Sequence, residues 1–260
     1  MPLGPQNFYN RLDHHHDEAK SWVVVNWNLG NMCNFTCSYC PSILNDGSFG
    51  WNDFDVVTRF IDATVEHYSP RKIYFEFTGG EVTLWKDFIK CAEYIKEIGH
   101  DIGFISNGSR TIRWWEKNKD KFDHVCLSYH PEEGKHEHFI EVVKIMSQQC
   151  RTHCNVMMHY DPEIWPRCQQ VAETVIEIPN ISLALQPLII DFGETLYSYE
   201  DWQTEYIDRQ WHNLGSKIKH TKKWKLYRGS MQMHDDINEL SQNSSAHRFI
   251  NDKTNNWKGW

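Results

Sequence analysis

The sequence predicts an α/β fold in which six β-strands alternate with about five α-helices. Two observations lead to this prediction. Short apolar segments recur along residues 21–191, and amphipathic segments with the 3.6-residue period of a helix lie between them. Such alternation is typical of a parallel sheet with right-handed crossovers, outer helices and functional loops at the carboxyl ends of the strands.

Each predicted element has a sequence signal of its own. Asn52 or Asp53 is placed to cap the first helix, Gly99 closes the second, and Pro166 is expected to interrupt the fifth. The predicted strands are residues 21–27, 72–77, 101–106, 124–129, 152–160 and 181–190. The predicted helices are residues 51–68, 84–99, 111–119, 137–149 and 162–175.

The chain divides into three parts by composition. Residues 1–20 form an N-terminal tail, residues 21–191 the α/β core, and residues 192–260 a C-terminal extension. We expect the run His14–His16 to be solvated, because adjacent histidines on an extended terminus rarely converge on one ion. The extension becomes polar and stops without a terminating helix, so we interpret it as truncated or as lacking a further segment.

Composition and charge narrow the function classes. Lys and Arg number 27 against 35 Asp and Glu, and no basic stripe is present, which disfavours a nucleic-acid substrate. The N-terminus lacks the apolar segment of a signal peptide, and no apolar run approaches membrane-spanning length. We therefore predict a cytoplasmic protein without a membrane association, whose eight cysteines are reduced thiols.

Three cysteines, Cys33, Cys37 and Cys40, lie within eight residues directly after the first predicted strand. A structural zinc site needs four ligands and a disulfide needs two cysteines. Three thiolates can instead bind three irons of a [4Fe–4S] cluster and leave the fourth iron open. A zinc site completed by a distant His or Cys is the alternative.

The cysteine loop CNFTCSYC resembles the CxxxCxxC loop of the radical S-adenosylmethionine (radical SAM) enzymes, with the aromatic Tyr39 before the last cysteine. A second motif, TGGE from Thr78 through Gly79 and Gly80 to Glu81, ends the second predicted strand. It is similar to the family's motif for the amino group of SAM. Its glycines allow close backbone approach, and its carboxylate is expected to be free to meet a cationic amine.

The resemblance covers residues 21–191 and has consequences for fold and cofactors. It implies a partial (β/α)6 TIM-like barrel with parallel strands, followed by an irregular C-terminal segment. It also implies a [4Fe–4S] cluster on the three cysteines, with SAM at the open iron. Tyr39 would then lie beside the adenine of SAM.

Polar residues at other strand ends extend the predicted SAM site. Ser106 and Asn107 end the third strand and Ser128 the fourth, where family members hold the SAM carboxylate and ribose. Turn formation by Asn107 and Gly108 is the alternative for the third strand. His130 and Pro131 stand where some relatives have a basic residue. At the end of the sixth strand, Gln186 and Leu188 match the place where the family packs the adenine.

The remaining candidates have two interpretations each. Asn155, Met157 and His159 alternate on the fifth strand, so they line the cavity or complete the barrel core. The other five cysteines are interpreted as buried core residues, although a second metal site from three of them with His153 is the alternative. These cysteines are Cys91, Cys126, Cys150, Cys154 and Cys168. Many relatives carry auxiliary clusters in a cysteine-rich C-terminal extension, and since no cysteine follows Cys168 here, we expect that extension to be absent or cut away.

The resemblance also implies an activity. Reductive cleavage of SAM would give a 5′-deoxyadenosyl radical that abstracts hydrogen from a small-molecule or peptide substrate, with a flavodoxin or ferredoxin as electron donor. No residue is assigned to act on the substrate. A zinc-binding module without activity and a degenerate radical SAM-like regulatory partner are the alternatives.

Overall fold

A computed structural model describes residues 9–14, 22–190, 195–207, 231–235 and 242–244 of the chain. The strands in these residues are β1 (Tyr9–His14), β2 (Trp22–Asn28), β3 (Lys72–Thr78), β4 (Asp101–Ser106), β5 (His124–Tyr129), β6 (Arg151–Met158), β7 (Ile181–Pro187), β8 (Met231–Asp235) and β9 (Gln242–Ser244). The α-helices are α1 (Phe54–Tyr68), α2 (Phe88–Glu97), α3 (Ile112–Asn118), α4 (His136–Ser147) and α5 (Trp165–Val175), and residues 201–207 are also helical.

The main sheet contains the six predicted strands in the order β2-β3-β4-β5-β6-β7, and all six are parallel. Each strand therefore pairs with the next one along the chain, and the helices provide the crossovers. In the register, Ser106 on β4 lies opposite Leu127 on β5, and Ser128 on β5 lies opposite Asn155 on β6. The predicted partial (β/α)6 barrel is confirmed.

The two faces of this sheet differ in chemistry. On β3, Ile73, Phe75 and Phe77 are fully buried, and Phe77 contacts Phe88 of α2 with ring centroids 6.3 Å apart. Because successive strand residues point to opposite faces, the positions between them face the barrel interior. The interior side carries Thr78 at the end of β3, and corresponding polar residues end the other strands. The helices thus cover an apolar face, while the interior side has polar residues among its apolar ones.

Several predicted element boundaries agree with the structure, and others need correction. Asp53 is the N-cap of α1, and Gly99 has the positive φ of +86° expected after a helix. Pro166 does not interrupt a helix, because α5 begins at Trp165 and the proline occupies its first turn, where no backbone donor is lost. The sixth core strand ends at Pro187, not at residue 190.

The chain divides into two compact units, Val24–Lys219 and the combination of Met1–Val23 with His220–Trp260. In the second unit, β1, β8 and β9 form an antiparallel sheet in the order β1-β8-β9, which the sequence analysis did not predict. His15, His16 and most of the predicted C-terminal extension lie outside the described residues. Across the described ranges, no helix combines the length and the apolar character needed to cross a bilayer.

Candidate cofactor site

A cavity of about 460 Å³ opens at the carboxyl ends of the core strands. Its size is in the usual range for small-molecule and cofactor sites, roughly 300–1,000 Å³. Every residue that the sequence analysis assigned to the cluster or to SAM lines this cavity, except Glu81. The lining residues among those assigned are Cys33, Cys37, Tyr39, Cys40, Thr78, Gly79, Gly80, Ser106, Asn107, Ser128, Gln186 and Leu188.

The cysteine loop between β2 and α1 is organised by Asn31, which is 3% exposed. Its side-chain amide donates to the carbonyl oxygen of Ile43 at 2.6 Å and to Oδ1 of Asp46 at 2.7 Å. Its Oδ1 accepts from the backbone N–H of Phe49 at 2.8 Å. One buried side chain therefore joins the two ends of the loop, a role that the sequence analysis missed because a single Asn carries no spacing signal.

The three cysteines of the loop differ in their surroundings. Cys37 is buried, whereas Cys33 and Cys40 are half-buried. The sulfur of Cys33 accepts a hydrogen bond from the backbone N–H of Phe35 at 3.4 Å and one from Nδ2 of Asn107 at 3.7 Å. Burial raises the pKa of all three thiols, that of Cys37 to about 12. Thiols of this kind ionise when a cationic metal centre offsets the burial.

Cys33, Cys37 and Cys40 are the thiols that line the cavity. All three sulfur-bearing residues line one cavity, yet within the described part of the chain no three Cys, His, Asp or Glu side chains converge on one ion position. A [4Fe–4S] cluster needs no such convergence, because each thiolate binds a different iron. The shared cavity of Cys33, Cys37 and Cys40 is compatible with three cysteine ligands on different irons.

The two glycines of the TGGE motif bring β3 against the start of the cysteine loop. Gly80 donates its N–H to the carbonyl oxygen of Gly30 at 2.9 Å, and Glu81 donates its N–H to that of Met32 at 2.8 Å. A Cβ atom at Gly79 or Gly80 would lie 2.1 or 2.2 Å from these same carbonyl oxygens. Besides lining the cavity, the glycines thus permit close backbone contact next to Cys33.

The side chain of Glu81 needs a correction. It is fully buried, and Oε1 accepts hydrogen bonds from the backbone N–H of Thr83 at 3.2 Å, its Oγ1 at 2.5 Å and Oγ of Ser106 at 2.9 Å. Oε2 accepts from the backbone N–H of Asn107 at 2.7 Å. Burial raises the pKa of Glu81, and these donors act in the opposite direction. Its carboxylate is not free to meet an amine in the cavity, because Glu81 is fully buried and does not line the cavity.

The surroundings of Tyr39, which the sequence predicts to lie beside the adenine of SAM, are apolar and well packed. Tyr39 forms a buried cluster with Cys37 and Leu188, and its hydroxyl lies 2.8 Å from Nδ1 of His130. Burial lowers the pKa of His130 to about 4, with the charge of Glu132 acting in the opposite direction. The residue after β5 is therefore neutral near pH 7 and provides no positive charge to the cavity.

The remaining candidate residues, on the fifth core strand and among the other cysteines, either line the cavity or lie in the core. Asn155 and Met157 line the cavity, whereas His159 does not and instead lies with Nε2 2.9 Å from Oε1 of Glu132. Cys154 and Cys168 are fully buried, and His153 contacts Ser182 and Asn155. Since the described residues hold no three-ligand group, the core interpretation of these cysteines is the one that the geometry favours.

A further residue, Tyr199, lies beyond the predicted core boundary at residue 191. Its hydroxyl accepts a hydrogen bond from the backbone N–H of Leu188 at 2.7 Å and donates to the carbonyl oxygen of Met158 at 2.6 Å. It therefore joins the ends of β6 and β7 next to the cavity. No sequence pattern marks Tyr199, because the alternation of apolar and amphipathic segments has ended by this point.

Comparison with known proteins defines the class. A sequence model of the radical SAM superfamily matches residues 27–163, which is more than half of the chain. The chain therefore belongs to the radical SAM superfamily, and it is a radical SAM enzyme. The cofactors of this family are a [4Fe–4S] cluster and SAM. No curated protein matches the chain.

Solved structures similar to the chain include three with bound ligands. One is TYW1 with a lysine-pyruvate adduct bound. It is 14% identical in sequence, the match covers 74% of the present chain and 73% of the TYW1 chain, and the TM-score is 0.45. Native anSMEcpe with bound AdoMet has 14% identity, coverage of 74% and 60%, and a TM-score of 0.48. Streptococcus suis SuiB bound to the precursor peptide SuiA has 13% identity, coverage of 85% and 61%, and a TM-score of 0.49.

Proposed function

We propose that Cys33, Cys37 and Cys40 bind the [4Fe–4S] cluster and that SAM occupies the cavity beside it. The observation that supports this proposal is that the three cysteines and Thr78, Gly79 and Gly80 of the TGGE turn line one cavity, with uncharged polar residues at the neighbouring strand ends. When bound, the cofactors supply reductive cleavage of SAM to a 5′-deoxyadenosyl radical, which abstracts hydrogen from the substrate.

The protein's own residues would hold and orient SAM. Backbone groups of Thr78, Gly79 and Gly80 would bind its amino group, and Ser106, Asn107 and Ser128 would bind its carboxylate and ribose. The apolar surface of Tyr39 and Leu188 would contact the adenine, with Gln186 at its edge. Because no lysine, arginine or acidic side chain of the described residues lines the cavity, hydrogen bonds replace ion pairs in this arrangement.

The proposed substrate is a small molecule or a peptide, and the proposed electron donor is a flavodoxin or ferredoxin. The acidic net charge of −8 supports a substrate other than a nucleic acid. A low-potential donor is needed because the cluster must be reduced before it can cleave SAM. A cytoplasmic location is proposed, since thiol ligands and flavodoxin-type donors require reducing conditions.

Anaerobic reconstitution with iron and sulfide tests the proposal. The wild-type protein should turn brown and contain roughly four irons per chain, and with SAM and dithionite it should release 5′-deoxyadenosine. Replacement of Cys33, Cys37 and Cys40 by alanine should abolish both the iron binding and the release of 5′-deoxyadenosine. Cys150→Ala is the matched control, because this thiol is also half-buried but lies outside the cavity, and it should retain both.

Two outcomes would contradict the proposal. A folded, zinc-loaded chain that takes up no iron would support the zinc-binding alternative. A protein that binds the cluster and SAM but forms no 5′-deoxyadenosine would support the degenerate regulatory partner.

A further inference from the structure

Two carboxylates outside the sequence-predicted site contact the cysteine loop. They belong to the acidic loop, residues 130–134, which follows β5 and turns where Gly134 donates its N–H to the carbonyl oxygen of His130 at 2.7 Å. Oε2 of Glu132 accepts from the backbone N–H of Ser38 at 2.6 Å, and Oε1 accepts from its Oγ at 2.5 Å. The acidic loop therefore contacts the cysteine loop directly.

The second carboxylate repeats this arrangement on the other side of Cys37. Oε1 of Glu133 accepts from the backbone N–H of Thr36 at 3.2 Å and from its Oγ1 at 2.8 Å. Thr36 and Ser38 are the two neighbours of Cys37 in the chain. The backbone on both sides of the most buried cysteine of the loop is thus held by a carboxylate.

The two carboxylates differ in how strongly they are fixed. The side chain of Glu132 is 19% exposed and lies 2.9 Å from Nε2 of His159, whereas Glu133 is exposed to solvent. Burial raises the pKa of Glu132, but hydrogen bonds from Ser38 and His159 outweigh burial and hold its pKa below the ordinary value. Glu132 therefore carries its negative charge near pH 7, and solvent screens Glu133 more effectively.

We infer that Glu132, assisted by Glu133, is a positioning residue that holds the cysteine loop and lowers the reduction potential of the cluster bound there. This inference rests on the proposed function, since it requires the cluster at Cys33, Cys37 and Cys40. A fixed negative charge near a redox centre disfavours the arrival of one more electron. The same carboxylate fixes the backbone between Cys37 and Cys40, so charge and position act through one side chain.

The redox part is tested by Glu132→Gln, which keeps nearly the same shape and removes the charge. In an anaerobic titration of the reconstituted protein without SAM, dithionite supplies one electron per cluster and electron paramagnetic resonance follows the reduced form. The midpoint potential should rise by about 59 mV, which is a tenfold change in the equilibrium constant of a one-electron couple. Glu133→Gln should give a smaller rise, because solvent screens this charge.

The positioning part is tested by Glu132→Asp, which keeps the charge but shortens the side chain. The midpoint potential of Glu132→Asp should differ less from the wild-type value than the midpoint potential of Glu132→Gln does. Iron release to a chelator should accelerate about fivefold, the effect of one lost hydrogen bond. Glu141→Gln, on the exposed side of α4, is the matched charge control and should change neither measurement.

The outcomes separate the inference from the proposed function. A wild-type chain that takes up no cluster contradicts the proposed function. An intact cluster whose midpoint potential is the same in wild type, Glu132→Gln and Glu133→Gln overturns the inference alone. If circular dichroism shows that Glu132→Gln does not fold, Glu133→Gln replaces it as the test, because the side chain of Glu133 is exposed. The inference then still requires that the midpoint potential of the cluster is higher in Glu133→Gln than in wild type.

Discussion

The backbone N–H of Asn107 donates a hydrogen bond to Oε2 of Glu81 at 2.7 Å, while the side-chain amide of the same Asn107 reaches the sulfur of Cys33 at 3.7 Å. Glu81 follows β3 and Asn107 follows β4, so the carboxylate links the segments that leave two neighbouring strands. It thereby fixes the residue that contacts the first cysteine of the loop. The acidic residue of the TGGE motif acts here through the protein and not through a free carboxylate.

Replacement of Glu81 by alanine should lower the free energy of unfolding by about 3 kcal/mol, because buried donors on Thr83, Ser106 and Asn107 lose their acceptor. Urea denaturation of the protein without cofactors measures this loss. Glu97→Ala, at the exposed end of α2, is the control and should stay within about 0.5 kcal/mol of wild type. A Glu81→Ala protein as stable as this control would refute the assigned role.

Replacement of Gly80 by alanine should destabilise the protein by about 3 kcal/mol and reduce its iron content after reconstitution. The added Cβ would lie 2.2 Å from the carbonyl oxygen of Met32, so the start of the cysteine loop must move. Gly50→Ala is the matched control, because its added Cβ has no atom within 4 Å. Denaturation and iron analysis should separate the two variants, and equal iron content in both would contradict the proposed close contact.

The protein without cofactors should lose stability below pH 6.5 through His130. Burial holds the pKa of this histidine at about 4 in the folded state, below the ordinary value of 6.5. The unfolded chain therefore binds the proton first as the pH falls. This contribution to stability is complete above pH 6.5, falls through the interval down to about 4, and amounts to about 3 kcal/mol.

Denaturation midpoints at several pH values measure this effect of His130. In His130→Gln the corresponding slope should disappear, because the glutamine amide does not titrate. His67→Gln, on the exposed end of α1, should keep the wild-type slope. Identical slopes in all three proteins would show that another group is responsible.

Replacement of Tyr199 by phenylalanine should cost about 2 kcal/mol of unfolding free energy, because the N–H of Leu188 and the carbonyl oxygen of Met158 both lose a partner. Affinity for SAM, measured by calorimetry on the reconstituted protein, should fall as well, since Leu188 lines the cavity. Tyr68→Phe, at the exposed end of α1, is the control and should change neither quantity. A Tyr199→Phe protein with the stability of this control would disprove the link.

The alternation of apolar and amphipathic segments sufficed to predict the core sheet, because each strand and each crossover helix buries a continuous apolar surface that periodicity reveals. The cysteine loop and the TGGE turn were predictable for a related reason, since their residues are close together in the sequence. The partners of Glu81 were not, because Ser106 and Asn107 are 25 and 26 residues away and belong to another strand. The contact between Glu132 and Ser38 spans 94 residues and leaves no local pattern.

The hydrogen bonds of Asn31 have a consequence for assembly. With one buried amide they bring Ile43, Asp46 and Phe49 together, and each of these bonds joins two groups of the polypeptide. The conformational entropy of the loop is therefore lost when the polypeptide folds, and little of it is left to lose when iron and sulfide arrive. The loop is preorganised, so the cluster would enter a template whose shape the polypeptide has already set.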